Sequence, residues 1–111
     1  MKGYKILITR PAVGDLKGIS DYIADELKEP PLAKKLVGKI REAIMSLNEM
    51  PTRHALVADE NLAAQGIRWL IVDSYMVFYI ASEKNATVAV IRILYGRRDW
   101  LNLLLENNDG L

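Results

Sequence analysis

Gly66-Ile67-Arg68-Trp69-Leu70-Ile71-Val72-Asp73-Ser74-Tyr75-Met76-Val77-Phe78-Tyr79-Ile80-Ala81 is the stretch that decides the fold, because two apolar runs meet there at a two-residue polar break. It predicts a hairpin: strands Gly66 to Val72 and Tyr75 to Ala81, joined by Asp73-Ser74. In that register Val72 opposes Tyr75, Leu70 opposes Val77 and Arg68 opposes Tyr79, all on one face. Ile67, Trp69, Ile71, Met76, Phe78 and Ile80 share the other face, which is wholly apolar and is expected to receive helices. A third strand, Thr87 to Tyr95, follows a polar turn containing Lys84 and Asn85. An even-length turn there places Val88, Val90, Arg92 and Leu94 on the Arg68 face. Arg68, Arg92, Tyr75 and Tyr79 then cluster on a surface with Leu70, Val72, Val77 and Val90, and a surface of that kind is expected to bind a partner.

Upstream, Tyr4 to Thr9 is rich in β-formers and stops at Arg10-Pro11, where a proline suits the first turn of a helix. Leu16, Ile19, Ile23 and Leu27 recur at helical spacing, with Asp15, Lys17, Asp21 and Asp25 on the wet side. Pro30-Pro31 interrupts the pattern. Ala33, Leu36, Val37, Ile40, Ile44 and Leu47 form the stripe of a second helix, which Pro51 closes after Met50. Residues 51 to 65 lack a period and read as a loop, with a helical turn around Ala58 to Ala64. Downstream, Gly96 allows a sharp turn before Arg97, Arg98 and Trp100, which open a short C-terminal helix. Arginines at such a strand end can grip phosphate or carboxylate. The expected fold is α+β, β-α-α-β-β-β, with a helical hairpin on one face of a small, mostly antiparallel sheet and a short C-terminal helix. It forms a single domain over 1-111, with its core at about 4-104 and a polar tail at 105-111.

Composition narrows the functions. The chain has 111 residues, half of them hydrophobic, which is enough for a real core. Its 15 Lys+Arg balance 14 Asp+Glu, so bulk charge does not draw it to nucleic acid. The absence of cysteine removes disulfides and thiolate chemistry, and a single histidine excludes a histidine-rich metal site. No metal or cofactor is expected. The N-terminal residues carry neither a signal-peptide pattern nor a membrane span, so a cytoplasmic protein is expected.

Several residues carry chemistry in principle and a plainer reading beside it. His54 could serve as a general base if its loop folded over the sheet, but a lone loop histidine is read first as solvated. Trp69 and Trp100 could stack on bases. Trp69 is read as core, whereas Trp100 is open to either role. Lys34, Lys35, Lys39 and Arg41 are read as one solvated helix face.

Together, Asp15-Leu16 with Ile19 and Tyr22-Ile23-Ala24, then Pro51, Gly66-Ile67-Arg68, Tyr75-Met76-Val77-Phe78-Tyr79 and Ile93-Leu94-Tyr95-Gly96-Arg97-Arg98-Asp99, resemble the RelE/ParE superfamily of toxins from bacterial type II toxin–antitoxin modules. The match runs from about Tyr4 to Leu104. The resemblance implies a growth-inhibiting toxin held in check by a cognate antitoxin, which contacts operator DNA on the toxin's behalf. It also implies one of two targets: the ribosome and its messenger RNA, cut through the RNA's own 2′-hydroxyl, or DNA gyrase, poisoned by contact.

A ribonuclease needs a base, a cation and an acid around one phosphate. Arg98 matches the ribonuclease arginine after the last strand, and Arg68 is a weaker candidate. Other positions depart from that pattern: Met76 replaces an arginine, Ile67 and Trp69 occupy a strand where a lysine is expected, and Leu104 falls near an expected tyrosine or histidine. The gyrase reading is therefore preferred, with the ribonuclease and a degenerate, antitoxin-binding toxin as alternatives. Arg68, Tyr75, Tyr79, Arg92, Arg97 and Trp100 are the candidates for contacting target or antitoxin.

Overall fold

The computed structural model of the chain describes residues 3–96 together with Leu103 and Leu104. β1 (Lys5–Ile8) leads into α1 (Arg10–Asp21), which continues as a π-helical turn, Tyr22–Glu26. α2 (Pro30–Met45) is followed by 3-10 turns at Ser46–Asn48 and Pro51–Arg53 and by a short α3 (Glu60–Ala64). β2 (Ile67–Val72), β3 (Tyr75–Ser82) and β4 (Thr87–Tyr95) complete the described elements. The expected C-terminal helix and polar tail lie largely outside the described residues; Leu103 and Leu104 are helical.

Local chemistry accounts for the breaks. Thr9 caps α1 by accepting the Ala12 N–H at 3.4 Å, and its hydroxyl lies 2.9 Å from the Val90 carbonyl, to which it donates. One residue thus ties the helix start to the sheet. In the π turn the Leu27 N–H reaches back five residues to the Tyr22 carbonyl at 3.1 Å. The wider turn rotates Leu27 off the stripe of Leu16, Ile19 and Ile23, and Leu27 is half exposed instead of joining the core. Lys28 then takes φ 55°, and Pro30-Pro31 open α2, where absent N–H groups break no helical bond.

The sheet order is β1-β4-β3-β2, with β1 parallel to β4 and the other pairs antiparallel. The hairpin register is as read from sequence: Val72 opposes Tyr75, Leu70 opposes Val77 and Arg68 opposes Tyr79. Ser82 opposes Thr87 across an even-length turn, and Tyr79 opposes Val90. Beyond that point a bulge intervenes, so that Phe78 opposes Arg92 and Ile91 is the extra residue. The bulge reverses the alternation of β4. Val88, Val90 and Ile93 join one core, while Ile91 and Leu94 join the other, so Leu94 is not on the Arg68 side as expected.

The helical hairpin packs on the opposite face from the one expected. Ala12, Ile23, Ala33, Leu36, Ile40, Ile44 and Leu47 meet Val72, Val77, Tyr79, Val88 and Val90, the Tyr79 side of the sheet. The face carrying Ile67, Trp69, Met76 and Phe78 is covered by Val57, Leu62, Ala63, Leu103 and Leu104. The expectation took arginine and tyrosine tips as the mark of a wet face. The tips of Arg68 and Tyr79 find backbone acceptors on this chain, so nothing prevents their part of the face from being buried. Trp69 is part of the second core, as expected.

Candidate functional site

β1 runs beside β4 only from Thr87 to Val90, yet β4 continues to Tyr95. Past Val90 the freed edge of β4 faces α1. The Gly96 N–H donates to the Ser74 carbonyl at 2.8 Å, so Gly96, and by strand alternation Leu94, direct their backbone groups at β3. Ile93 and Tyr95 direct theirs away, and the Ile93 N–H indeed ends on Asp15 Oδ2 at 2.9 Å. The Ile93 carbonyl and Tyr95 N–H therefore point away from β3, along an edge that no described strand covers past Val90. Gly96 eases a close approach here: a Cβ at that position would sit a tight 3.2 Å from the Ser74 carbonyl oxygen.

Asp15 does more than accept one amide. Arg92 grips it with Nε at 2.6 Å from Oδ2 and Nη2 at 2.8 Å from Oδ1, a two-pronged pairing with both side chains about 15% exposed. Sequence periodicity placed Asp15 on the wet side of its helix and Arg92 beside Arg68. Tertiary structure instead brings them together from 77 positions apart, because an acceptor was needed where β1 ends.

Between α1 and this edge lies a groove of about 740 Å³. Gly14 and Gly18 form its helical wall, and at each of them an added Cβ would meet nothing within 4 Å. Ile19, Ile93 and Leu94 line it with Tyr22, Tyr75 and Tyr95. The Tyr75 and Tyr95 rings meet edge to face, with centroids 5.5 Å apart. Burial, then the neighbouring Tyr95 and Tyr22, push the Tyr75 hydroxyl above its ordinary value. The phenol stays neutral, able to donate and accept but not to serve as a base near neutral pH. A strand edge bounded by tyrosines and glycine-opened walls is suited to an extended peptide that lays its backbone on the edge and a side chain among the rings.

The other half of the predicted cluster is spent internally. The Arg68 Nη1 donates to the His54 carbonyl at 2.6 Å, and the fully buried Tyr79 donates its hydroxyl to the Pro51 carbonyl. Burial raises the Tyr79 hydroxyl, with Arg68 and Arg53 opposing. His54 is only partly exposed instead of solvated as expected: its ring packs edge-on against Tyr79 and is held below its ordinary value by burial and then by Arg53. Arg68 and Tyr79 thus share one place, Arg92 another and Tyr75 a third. Arg97, Arg98 and Trp100 lie outside the described residues.

Sequence reading missed Tyr22 and Tyr95. A signal for the groove was present in Gly14, Gly18 and Tyr22, two small residues and an aromatic at successive i, i+4 steps. Among the described residues no group of three or more His, Asp or Glu could hold a metal, and no helix is long and apolar enough to cross a membrane.

A family model described as "ParE toxin of type II toxin-antitoxin system, parDE" matches residues 6–100. No curated protein matches. Among solved structures, the chain is similar to the chromosomal ParDE toxin–antitoxin system from P. aeruginosa, with 24% identity over 86% of this chain and 98% of that one, at a TM-score of 0.69. It is similar also to the RelBE2 toxin–antitoxin complex from Mycobacterium tuberculosis, with 21% identity over 86% and 93% of the two chains and a TM-score of 0.62. A mutant E. coli toxin RelE in the free state aligns over 91% of this chain and 92% of its own, with 11% identity and a TM-score of 0.64. These likenesses establish the fold.

Proposed function

The chain belongs to the ParE toxin family of type II toxin–antitoxin systems, and from that premise we propose that it arrests growth by binding DNA gyrase, with its antitoxin seated in the tyrosine groove. The observation that supports this target is how the candidate catalytic groups among the described residues are employed; Arg98 lies outside them. Cutting RNA through its 2′-hydroxyl needs a base, an acid and a cation converging on one phosphate. Arg68 and Tyr79 hold a loop, Arg92 holds Asp15, and the His54 imidazole is turned into the protein. A protein that acts by contact needs none of them at a phosphate.

The antitoxin's place is supported by the edge of β4. An extended segment of the antitoxin aligns beside Ile93 to Tyr95, continuing the position in the sheet that β1 leaves at Ile8, and places one side chain among Tyr22, Tyr75 and Tyr95. The solved relatives from P. aeruginosa and M. tuberculosis are themselves toxin–antitoxin systems.

Expression of the chain alone should stop bacterial growth, and co-expression of its cognate antitoxin should restore it. The deciding measurement sets the wild type beside Arg98→Ala in two assays, gyrase-dependent DNA breakage and message cleavage on translating ribosomes. DNA breaks with intact message are expected. Message cleavage by the wild type that Arg98→Ala abolishes would overturn the gyrase assignment, with a loss of about 3 kcal/mol in transition-state stabilisation, the usual worth of one such contact.

A further inference from the structure

The chain from Met50 to Val57 lies as a strap along the outer edge of β2. The Trp69 N–H donates to the Ala55 carbonyl at 3.2 Å and the Val57 N–H to the Ile67 carbonyl at 3.0 Å, with Leu56 opposite Arg68. Two sheet side chains hold the near end: Arg68 on the His54 carbonyl and Tyr79 on the Pro51 carbonyl. His54 sits between these anchors, its ring perpendicular to that of Tyr79 with centroids 6.3 Å apart. Its Nε2 is buried and has no hydrogen-bond partner among the described residues.

A neutral imidazole can leave that nitrogen as a buried lone pair, whereas a proton placed on it becomes a buried cationic N–H with no acceptor among the described residues. The groups that face it are Arg53 from its own turn, Arg68 from β2 and Tyr79 from β3, two cations and a neutral phenol. Arg53 is itself held on the backbone carbonyls of Glu49 and Met50. None of the ion pairs among the described residues includes His54.

We propose that this strap is an acid-sensitive latch: protonation of His54 drives its ring out to water, releases residues 50–57 from β2 and β3, and uncovers the backbone edge of β2 from Ile67 to Trp69. The direction follows from the lowered affinity of the docked ring for a proton, caused by burial and then by Arg53, and from the buried Nε2 that would carry it. The open form binds the proton more readily than the closed one. Closure is therefore at full strength above the ordinary imidazole value of 6.5 and weakens as pH falls below it, until the enclosed ring itself titrates. Opening turns a covered strand edge into one able to pair with another chain.

Amide hydrogen exchange followed by NMR on the full chain tests this, because the Val57 and Trp69 N–H groups both bond across the strap. Corrected for the intrinsic effect of pH, their protection should fall by up to about tenfold per pH unit below the ordinary imidazole value, while the amides shared by β3 and β4 stay protected. His54→Phe keeps a ring against Tyr79 and removes the proton site, and its strap amides should be insensitive to pH. Unchanging protection in the wild type, or an equal fall in His54→Phe, would overturn the latch. Should that variant not fold, the wild-type imidazole titration decides alone: its midpoint must lie below 6.5 and accompany the loss of strap protection, and a midpoint at or above 6.5 refutes the proposal.

Discussion

Tyr79 and Tyr95 stand on neighbouring strands of one sheet, yet the first is fully enclosed and the second is 37% exposed. The difference lies in what the chain does next to each. Beside Tyr79 the strap returns across the edge of β2 and offers the Pro51 carbonyl, so a phenol that looks like a contact residue becomes a fastening. Beside Tyr95 the strand that should cover the edge has already ended, and α1 presents glycines in its place. Residue type alone does not mark a binding surface. The mark is a row of polar and aromatic groups for which the described part of the chain's own backbone supplies no partner.

The sharpest way to break this contrast is to remove the clamp that shapes the open side. Asp15→Ala takes the two-pronged carboxylate contact from the largely buried Arg92 and the acceptor from the Ile93 N–H, and should cost roughly 2–3 kcal/mol of stability in urea unfolding. Asp15→Asn keeps an acceptor for the amide and should cost less. A loss below about 1 kcal/mol for Asp15→Ala would mean that β4 does not depend on the clamp past Val90.

Gly18→Leu tests the groove without harming the fold. Its Cβ meets nothing within 4 Å, and leucine is the better helix former, so thermal stability should hold or rise slightly. The side chain fills the space opposite Tyr75 and Tyr95, and antitoxin affinity by calorimetry should drop by about tenfold to a hundredfold, the usual weight of a blocked interface centre. Unaltered affinity would place the antitoxin elsewhere.

A pair of single-atom deletions gives the finest comparison. Tyr79→Phe removes the hydroxyl that satisfies an enclosed carbonyl and should cost about 1–2 kcal/mol. Tyr95→Phe removes a hydroxyl from the open groove and should change stability by less than about 0.5 kcal/mol. Equal costs would erase the distinction between the fastened tyrosine and the open one.

Much of the architecture was legible from local patterns. The helical stripe of Ala33, Leu36, Ile40, Ile44 and Leu47 and the two-residue Asp73-Ser74 hairpin are set by periodicity and turn chemistry within a few neighbours, and both are found. The run from about Tyr4 to Leu104 was also enough to point to the family, since order and spacing along the chain are sequence properties. Which face of the sheet the helices take was a different matter. Both faces are apolar enough to bury, and the choice turned on whether the tips of Arg68 and Tyr79 could reach carbonyls 14 and 28 positions away. The bulge at Ile91, the π turn that displaces Leu27 and the meeting of Asp15 with Arg92 likewise depend on contacts between segments distant in sequence. Alternation and helical period report only what a residue's near neighbours impose. Where a polar group ends up is decided by the partner that folding brings to it, and that is why the groove, the clamp and the latch belong to the tertiary structure.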